Sequence, residues 1–487
     1  MKYLKDILYT VAITKVFGST NVVVKNLVFD SRKIVNNDVF IAQKGGSVDG
    51  HLYIEKAIHL GAIVIICEDF PEAQKEGITY VQVVNANAAL AIMASNFYDN
   101  PSSKMPLVGV TGTNGKTTIA SLLYQLFKKA GYKVGLLSTV KILVDEVAYK
   151  ATHTTPDSVT INSYLDKMVA AGVDFCFMEV SSHGIHQKRT EGLTFAGGIF
   201  TNLSHDHLDY HETFAEYRNV KKIFFDGLPK TAFALTNIDD KNGNFMLQNT
   251  KAKKKTYALQ TVADFKVKIL EKQLSGTLIT VDGTEVWTKL IGVFNIYNLT
   301  AIIATAKLLG LEKLETLTII SELESVSGRF EYVVSQGGIT AIIDYAHTPD
   351  ALKNVLETIN DIRTGTEKVI TVVGCGGDRD KTKRPKMAHI ASQLSSQVIF
   401  TSDNPRTENP QTILDEIEAG VSPENYRKTL TVLDRRQAIK TACKLSEAGD
   451  IILIAGKGHE DYQEINGVRT HFDDLEEVKN CFNQLKN

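Results

Sequence analysis

A glycine-rich segment is the clearest sign of chemistry in this sequence. Residues 112–118 read Gly-Thr-Asn-Gly-Lys-Thr-Thr, and they stand between a predicted strand and a predicted helix. Glycines let backbone N–H groups approach phosphate oxygens, and the N-terminus of the helix adds a favourable dipole. Lys116 would neutralise the β and γ phosphates of a nucleotide, and a following threonine hydroxyl would bind Mg²⁺. Val110 stands where the common G-x-x-x-x-G-K-[ST] spacing requires glycine, so the loop departs from that form.

Possible metal ligands follow in two later segments. Glu179 ends an apolar run that begins at residue 175, which is typical of a carboxylate placed beside nucleotide-bound Mg²⁺. Residues 201–211 then include three histidines, His205, His207 and His211. Histidines this close are also compatible with a zinc site. Beside a phosphate-binding loop, however, a mixed set of aspartates and histidines favours Mg²⁺ and phosphates.

The last third of the chain contains a second glycine-rich turn, at residues 374–379. It could indicate dinucleotide binding, but Arg379 occupies the place of the third glycine in G-x-G-x-x-G. Arg379 and Arg406 are better interpreted as carboxylate-binding groups, because a guanidinium binds a carboxylate through two hydrogen bonds. An NAD-dependent oxidoreductase therefore stays a weak alternative. So does a GTPase-like switch, because Thr-Asn-Ile-Asp at residues 236–239 only approximates the guanine-binding N-K-x-D.

The elements that must position these groups alternate between strands and helices. Apolar runs predict strands at residues 38–43, 62–68, 107–110, 134–137, 175–180, 198–202, 339–344, 369–373, 397–401 and 450–454. Helical patterns cover residues 53–60, 86–97 and 117–130, and residues 100–106 are predicted to be a linker. The polar motifs directly follow strands, and ligands of α/β sheets gather beyond the carboxyl ends of strands. The sequence therefore predicts an α/β fold.

Length and composition restrict the class of protein. The chain has 487 residues, of which 43% are hydrophobic and 23% charged, so about three domains are expected at roughly 100–200 residues each. A net charge of -2 argues against bulk binding to nucleic acid or membranes. The five cysteines form no C-x-x-C pair, which argues against a disulfide scaffold or a zinc ribbon. We expect a cytoplasmic protein, because no signal peptide is recognised and no apolar stretch approaches the ~20 residues of a membrane helix.

Taken in order, the motifs resemble those of the Mur ligase family. Residues 112–118 match its ATP-binding loop, and the matches together span about residues 27–465. The other matching segments are 153–157, 179–183, 201–203 with 206–211, 292–295 with Asn298, 327–331, 344–349, 376–381 and 456–460. Residues 403–406 (Asp-Asn-Pro-Arg) resemble the motif of members that add meso-diaminopimelate.

The resemblance implies both an architecture and an activity. It implies three α/β domains: a small UDP-substrate-binding domain (1–100), a central P-loop ATPase domain with a parallel sheet (101–329) and a Rossmann-like amino-acid-binding domain (330–487). The implied reaction is ATP-dependent addition of meso-diaminopimelate to the D-glutamate of UDP-N-acetylmuramoyl-L-alanyl-D-glutamate through an acyl phosphate, in peptidoglycan precursor synthesis. A lysine-adding Mur ligase and folylpolyglutamate synthetase stay alternatives. We expect no obligate protein partner.

The resemblance also implies the residues of each site. ATP would be bound by Gly112, Thr113, Asn114, Gly115, Lys116, Thr117, Thr118, Asn295, Asn298, Arg329 and Asp344. The UDP-linked substrate would be bound by Ser31, Thr154, Thr155, Ser181, Gln187 and Arg189, and diaminopimelate by Arg379, Asp403, Asn404, Arg406, Gly456 and Glu460. Mg²⁺ would be held by Thr117, Glu179, His207 and Lys221, and the catalytic residues would be Lys116, Glu179, His207 and Lys221.

One of these residues is expected to be chemically modified. The family's carbamylated lysine (N6-carboxylysine) lies ten residues beyond the last histidine of its motif, which selects Lys221 after His211. Lys222 is adjacent and could take this place instead.

Overall fold

The computed structural model describes residues 1–45, 48–204, 206 and 210–485. Within this part of the chain, the strands form three main sheets with helices packed on them, and most neighbouring strands run parallel. The predicted α/β class is confirmed. In the same residues, no helix is both long enough and apolar enough to cross a membrane.

The N-terminal unit (residues 2–97) is built on a small sheet. Its main sheet has the order β2-β7-β6-β5-β4, in which β2 runs antiparallel to β7 and the other pairs are parallel. Its strands are β1 Lys2–Tyr3, β2 Ile13–Phe17, β3 Val23–Val24, β4 Leu27–Val28, β5 Asp38–Ile41, β6 Ala62–Cys67 and β7 Thr79–Val83. Its helices are α1 Leu4–Ile7, α2 Ile54–His59 and α3 Ala86–Phe97. Ser31 lies just after β4, at the start of the short 3-10 helix Ser31–Lys33.

The middle unit (residues 107–322) contains a long mixed sheet. Its order is β11-β10-β9-β12-β8-β13-β14-β15-β16-β17-β18, with a parallel centre from β9 to β16 and antiparallel strands at both ends. The strands are β8 Leu107–Thr111, β9 Val134–Leu137, β10 Lys141–Val144, β11 Val147–Lys150, β12 Phe175–Glu179, β13 Gly197–Phe200, β14 Phe233–Asn237, β15 Lys253–Ala258, β16 Phe265–Gln273, β17 Gly276–Val281 and β18 Thr284–Thr288. The helices are α4 Lys116–Lys129, α5 Ser158–Ala170, α6 Ser182–His186, α7 Phe214–Asp226, α8 Gly243–Met246, α9 Val293–Leu308 and α10 Lys313–Glu322.

The position of β8 within this sheet determines where ligands can bind. β8 lies between β12 and β13, and the register pairs Val110 with Glu179 and Thr111 with Phe200. The glycine-rich loop therefore leaves the sheet beside the carboxyl ends of both neighbours, which is where doubly wound sheets bind ligands. On α4 the predicted apolar face is buried against the sheet, including Ile119 and Leu126.

The C-terminal unit (residues 331–484) has a sheet of the order β19-β20-β24-β21-β22-β23, parallel except for β19. The strands are β19 Glu331–Val334, β20 Thr340–Asp344, β21 Val369–Val373, β22 Gln397–Phe400, β23 Thr429–Thr431, β24 Ile451–Ala455, β25 Tyr462–Ile465 and β26 Val468–His471. The helices are α11 Pro349–Ile362, α12 Lys383–Leu394, α13 Pro410–Glu418, α14 Arg435–Leu445 and α15 Asp474–Gln484. The polar segments after β20, β21, β22 and β24 leave the sheet at one edge, because these strands are parallel.

Residues 100–106, which the sequence predicts to be a linker, do not form an open connection in the structure. It contains the short 3-10 helix Pro101–Ser103, and both Pro101 and Ser102 are buried. The hydroxyl oxygen of Ser102 accepts a hydrogen bond from the amide of Thr194 at 3.0 Å. The segment is therefore packed against the middle unit, and its proline stabilises a turn rather than an open connection.

A buried ion pair ties the last two helices to the C-terminal sheet. Nε and Nη2 of Arg435 donate to the two carboxylate oxygens of Asp474 at 2.8 Å, and Nη2 also donates to the carbonyl of Ala455 at 3.0 Å. Both side chains are fully buried. Removing one partner of such a pair leaves an uncompensated buried charge, which costs about 3–5 kcal/mol.

We therefore expect Asp474→Asn to lower the free energy of unfolding by about 3–5 kcal/mol, measured by urea denaturation followed by circular dichroism. Glu476→Gln is the matched control, because Glu476 lies on the same helical turn and pairs with His471 where both side chains are more than half exposed. Its effect should be much smaller. Equal effects of the two substitutions would contradict the assigned role of the buried pair.

Candidate active site

A cavity of about 620 Å³ lies between the middle and C-terminal units. It is lined by the glycine-rich loop, by the ends of β12, β13 and β14, by the segment after β20, and by α11. Asn114 and Asp350 join the two units across it, with Nδ2 of Asn114 donating to Oδ2 of Asp350 at 3.3 Å. Nothing in the sequence pattern had indicated a role for Asp350.

Two glycines of the loop are required by their surroundings. Gly112 and Gly115 have φ angles of 150° and 88°, which L side chains rarely adopt. A Cβ on Gly112 would lie 1.8 Å from Oγ1 of Thr201, and one on Gly115 would lie 2.4 Å from Oδ1 of Asn298. The loop is thereby pressed against β13 and α9. Its backbone is further held by Asn202, whose Oδ1 accepts the amide of Asn114 at 3.0 Å.

Lys116 is folded back over this loop. Its Nζ donates to the carbonyls of Gly112 at 3.0 Å and Thr113 at 2.8 Å. Burial lowers the pKa of Lys116, and the charges of Glu179 and Asp206 partly oppose that shift. An anion in the cavity would be stabilised by this ammonium group.

The end of β12 brings hard oxygen ligands to the loop. The hydroxyl of Thr117 donates to Oε2 of Glu179 at 3.0 Å, and Oε1 of Glu179 accepts the amide of Thr139 at 2.7 Å. Nη2 of Arg329 donates to the Thr117 hydroxyl at 3.1 Å. A threonine hydroxyl next to a carboxylate suits Mg²⁺, which prefers oxygen ligands. The described residues contain no group of three or more His, Cys, Asp or Glu that could hold a metal ion.

Part of the histidine segment can be placed. His205 and His207 lie outside the described residues, so the predicted metal ligand His207 has no structural account. His211 is fully buried, and its ring centre lies 5.8 Å from that of His183 and 5.9 Å from that of His186.

Lys221 and Lys222 have different surroundings, although they are adjacent in sequence. Nζ of Lys221 is buried and donates to the carbonyl of Gly112 at 2.9 Å. Burial and the charge of Lys116 hold the pKa of Lys221 well below its usual range. Lys222 instead forms an ion pair with Asp226 on the same helix, at 2.7 Å. Of the two, Lys221 is the lysine that faces the glycine-rich loop.

The residues expected near the nucleoside form two layers. Asn298 lines the cavity, whereas Asn295 lies behind it and accepts a hydrogen bond from Nδ2 of Asn298 at 3.3 Å. Asp344 and Arg329 both line the cavity. Burial raises the pKa of Asp344 to about 6, although Oδ2 accepts the amide of Phe330 at 2.7 Å.

The segment at residues 236–239 does not have a guanine-binding arrangement. The carboxylate of Asp239 accepts the amides of Leu259, Gln260 and Thr261 at 2.8–2.9 Å. It also accepts the hydroxyl of Tyr297 at 2.8 Å. These bonds occupy the carboxylate that would have to recognise guanine, so they disfavour the GTPase alternative.

The residues expected to hold the muramoyl peptide lie together beyond β12. The hydroxyl of Thr155 donates to the Glu179 carbonyl and accepts the amide of Ser181, both at 2.9 Å. Arg189 donates to the Thr155 carbonyl and to Oε1 of Gln187, both at 2.6 Å. Thr154 lies on the cavity wall and accepts the hydroxyl of Thr139 at 3.1 Å. Thr139 had not been selected from the sequence, because it belongs to no motif.

The residues expected to bind the amino acid lie at the edge of the C-terminal sheet. Nδ2 of Asn404 donates to Oε2 of Glu460 at 2.7 Å, and a Cβ on Gly456 would lie 3.3 Å from Oδ2 of Asp403. This group does not line the cavity described above, but Tyr345, which does, donates its hydroxyl to Oε1 of Glu460 at 3.4 Å. The two sites therefore adjoin.

Both predicted carboxylate-binding arginines flank the turn at Gly376. A Cβ on Gly376 would lie 2.9 Å from Nη1 of Arg406 and 3.9 Å from Cγ of Arg379. Nη1 of Arg406 donates to the carbonyl of Gly377 at 2.7 Å, whereas Arg379 is exposed. Arg406 has a φ angle of 52°, a strained conformation for a residue with a side chain, and such strain is often found at functional sites.

Comparison with known proteins agrees with this geometry. Three family descriptions match the chain: the Mur ligase family, catalytic domain at residues 23–98, the Mur ligase middle domain at 110–306 and the Mur ligase, glutamate ligase domain at 328–458. A UDP-N-acetylmuramoyl-L-alanyl-D-glutamate–2,6-diaminopimelate ligase of Cytophaga hutchinsonii is 55% identical over 99% of both chains. The ligase of the same name from Bacillus licheniformis is 39% identical over 100% of both.

Solved structures resemble the chain in the same way. A UDP-N-acetylmuramoyl-L-alanyl-D-glutamate–2,6-diaminopimelate ligase is 31% identical, with a TM-score of 0.67 over 95% of this chain and 96% of that chain. The MurF ligase of Thermotoga maritima in complex with ADP is 19% identical, with a TM-score of 0.63 over 94% and 97% of the two chains, and it shows similarity of fold alone. From the matches over its whole length, this chain belongs to the Mur ligase family.

Proposed function

We propose that the chain adds meso-diaminopimelate to the D-glutamate of UDP-N-acetylmuramoyl-L-alanyl-D-glutamate, with conversion of ATP to ADP and phosphate. The observation that carries the proposal is its similarity, over 99% of both chains, to a relative that bears this activity in its name. The strained Arg406 beside Gly376 supports it, because diaminopimelate has a distal carboxylate for a guanidinium to bind.

ATP is needed because a carboxylate does not react with an amine at neutral pH. Transfer of the γ-phosphoryl group to the D-glutamate carboxylate gives an acyl phosphate, from which phosphate is a good leaving group. We assign Lys116 to the transferring phosphoryl group, since its ammonium lies on the phosphate-binding loop. The neutral amine of diaminopimelate then attacks the acyl carbon, and phosphate leaves through a tetrahedral intermediate.

Mg²⁺ fits the residues at the end of β12. Thr117 and Glu179 supply a hydroxyl and a carboxylate 3.0 Å apart, and the proposal adds His207 and Lys221 as further ligands. When bound, the ion would offset negative charge on the phosphates. The chain's own contribution is to hold Glu179 in place through the amide of Thr139.

We propose that Lys221 carries a carbamate. A lysine amine must be neutral to react with CO₂, and the depressed pKa of Lys221 favours that form. The modification would convert a buried cation into an anion beside Lys116, which removes the repulsion between the two amines. Lys222 instead forms an ion pair with Asp226.

The substrates are assigned to the three parts of the chain. Residues 1–100, including Ser31, would hold the UDP group, and residues 101–329 would hold ATP and the muramoyl peptide. Residues 330–487 would hold the amino acid and close over the central part, a hinge motion that brings amine and acyl phosphate together. The hydrogen bond from Thr155 to the Glu179 carbonyl supports this division, because it joins a residue assigned to the muramoyl peptide to one assigned to Mg²⁺.

The carbamate prediction is tested with the adjacent lysines as a matched pair. In ¹³C-bicarbonate, a carbamate carbon signal should be observed by NMR for the wild type and for Lys222→Ala, but not for Lys221→Ala. Activity should fall by about 10²–10³ in Lys221→Ala, the size of effect expected when a group at a developing charge is lost. A carbamate signal that disappears with Lys222→Ala instead would contradict the assignment.

The substrate proposal is tested at Arg406. We expect the wild type to prefer meso-diaminopimelate over lysine by about 10⁴ or more in kcat/KM, because lysine would leave the guanidinium without a partner. Arg406→Ala and Arg406→Gln should lose most of that preference. Arg427→Ala, which removes an exposed arginine of the same unit, should retain it. A wild type that prefers lysine would refute the substrate proposal, and variants that keep the ratio would refute the role of Arg406.

A further inference from the structure

Lys457 is a fully buried lysine inside the group of residues assigned to the amino acid. Its Nζ lies 3.1 Å from Oδ1 of Asn404, 3.3 Å from Oε2 of Glu460 and 3.4 Å from Oδ1 of Asp403. The ring of Tyr462 closes another side, with its centre 5.5 Å from Nζ. All three hydrogens of the ammonium group thus have an oxygen partner, and the lysine itself has no face left for a ligand.

These contacts determine which polar atoms stay available. Oδ1 of Asn404 accepts both Lys457 and the amide of Glu464, at 3.0 Å, which fixes the orientation of the side-chain amide. Its Nδ2 must then point to Oε2 of Glu460, where the distance is 2.7 Å. Oε2 therefore has two donors, whereas among the residues that the structure describes Oε1 has only the long contact to Tyr345 at 3.4 Å. Oε1 is the carboxylate oxygen that can accept a substrate ammonium group.

The charges of the cluster also make Glu460 the residue that depends on Lys457. Asp403 and Glu460 are two carboxylates in a buried site, and burial together with the charge of Asp403 raises the pKa of Glu460. Burial acts in the same direction on Asp403, but the charges of Lys457 and Arg435 outweigh it and lower the pKa of that residue. In the described part of the chain, the other titratable or charged groups that face the cluster are His347, Tyr345, Tyr462, Cys375, Glu464, Arg406 and Arg469. Without Lys457, two buried carboxylates would oppose each other and one would tend to bind a proton.

We propose that Lys457 is a positioning residue for amino-acid recognition: it holds Asn404 and Glu460 in one arrangement and offsets the negative charge of the two carboxylates, so that Glu460 accepts the ammonium group of the incoming amino acid. This inference rests on the function proposed above for the same site. A protonated Glu460 would be a donor on that oxygen and would repel an ammonium group.

The test compares Lys457→Met and Lys457→Gln with the wild type over a range of pH. The KM for meso-diaminopimelate should rise at least about 10-fold, and the acidic limb of kcat/KM for this substrate should move up by about one pH unit, because a nearby charge shifts a pKa by about 1–3 units. The limb moves upward because loss of the cation raises the carboxylate pKa values. The KM values for ATP and for the UDP-linked substrate should stay within about two-fold, since the hydrogen bonds of Lys457 lead to Asp403, Asn404 and Glu460, which are assigned to the amino acid.

Two further variants separate this role from a structural one. Lys457→Arg retains the charge, so its acidic limb should stay near that of the wild type even if KM rises. Lys386→Met removes an exposed lysine of the same unit and should change neither quantity. ADP binding by calorimetry establishes which variants are folded, and using both Met and Gln leaves a test if one fails to fold.

The outcomes distinguish the two proposals. A wild type that forms no product with meso-diaminopimelate refutes the proposed function. An active wild type whose folded Lys457→Met and Lys457→Gln variants keep the pH profile and the KM refutes the role of Lys457. A raised KM with an unchanged acidic limb in the neutral variants also refutes it, because the lysine would then act only through packing.

Discussion

The proposed chemistry depends on basic side chains gathered around one glycine-rich loop. The carbonyl of Gly112 accepts hydrogen bonds from both Lys116 and Lys221, at 3.0 Å and 2.9 Å. Burial lowers the pKa of both amines, and the charge of Lys116 lowers the pKa of Lys221 further. Arg329 adds a third cationic group at Thr117. An anion is the natural ligand of such a loop, and burial favours the neutral form of Lys221.

Sheet topology explains how distant residues meet at this loop. In the middle unit, β8 is flanked by β12 and β13, so the loop, Glu179 and Asn202 share one edge. In the C-terminal unit, parallel strands bring Asp344, Asp403 and the segment after β24 to an edge of their own. Contacts such as that between Asn114 and Asp350 join the two edges. In the proposed reaction, the amine and the acyl phosphate would meet between these two sheets.

Sequence reasoning was most accurate where a residue's role follows from local backbone chemistry. The glycine-rich loop, the apolar strands and the face of α4 were predicted within a few residues, because hydrophobic periodicity and glycine geometry are local. It could not separate Lys221 from Lys222, since consecutive helical residues differ by roughly 100° in direction and only packing decides which of them faces the loop. The roles of Asp239, Thr139 and Lys457 depend on partners far away in sequence. The burial of Pro101 also depends on distant residues, so the sequence around this turn resembles that of a linker.

The central claim is that ATP activates the carboxylate of the muramoyl peptide as an acyl phosphate before the amine attacks. The most direct measurement uses substrate whose D-glutamate side-chain carboxylate is labelled with ¹⁸O. In the presence of ATP and meso-diaminopimelate, mass spectrometry of the released inorganic phosphate should show one ¹⁸O atom for each peptide bond formed, since the bridging oxygen leaves with phosphate. Unlabelled phosphate, released in step with product, would contradict the account.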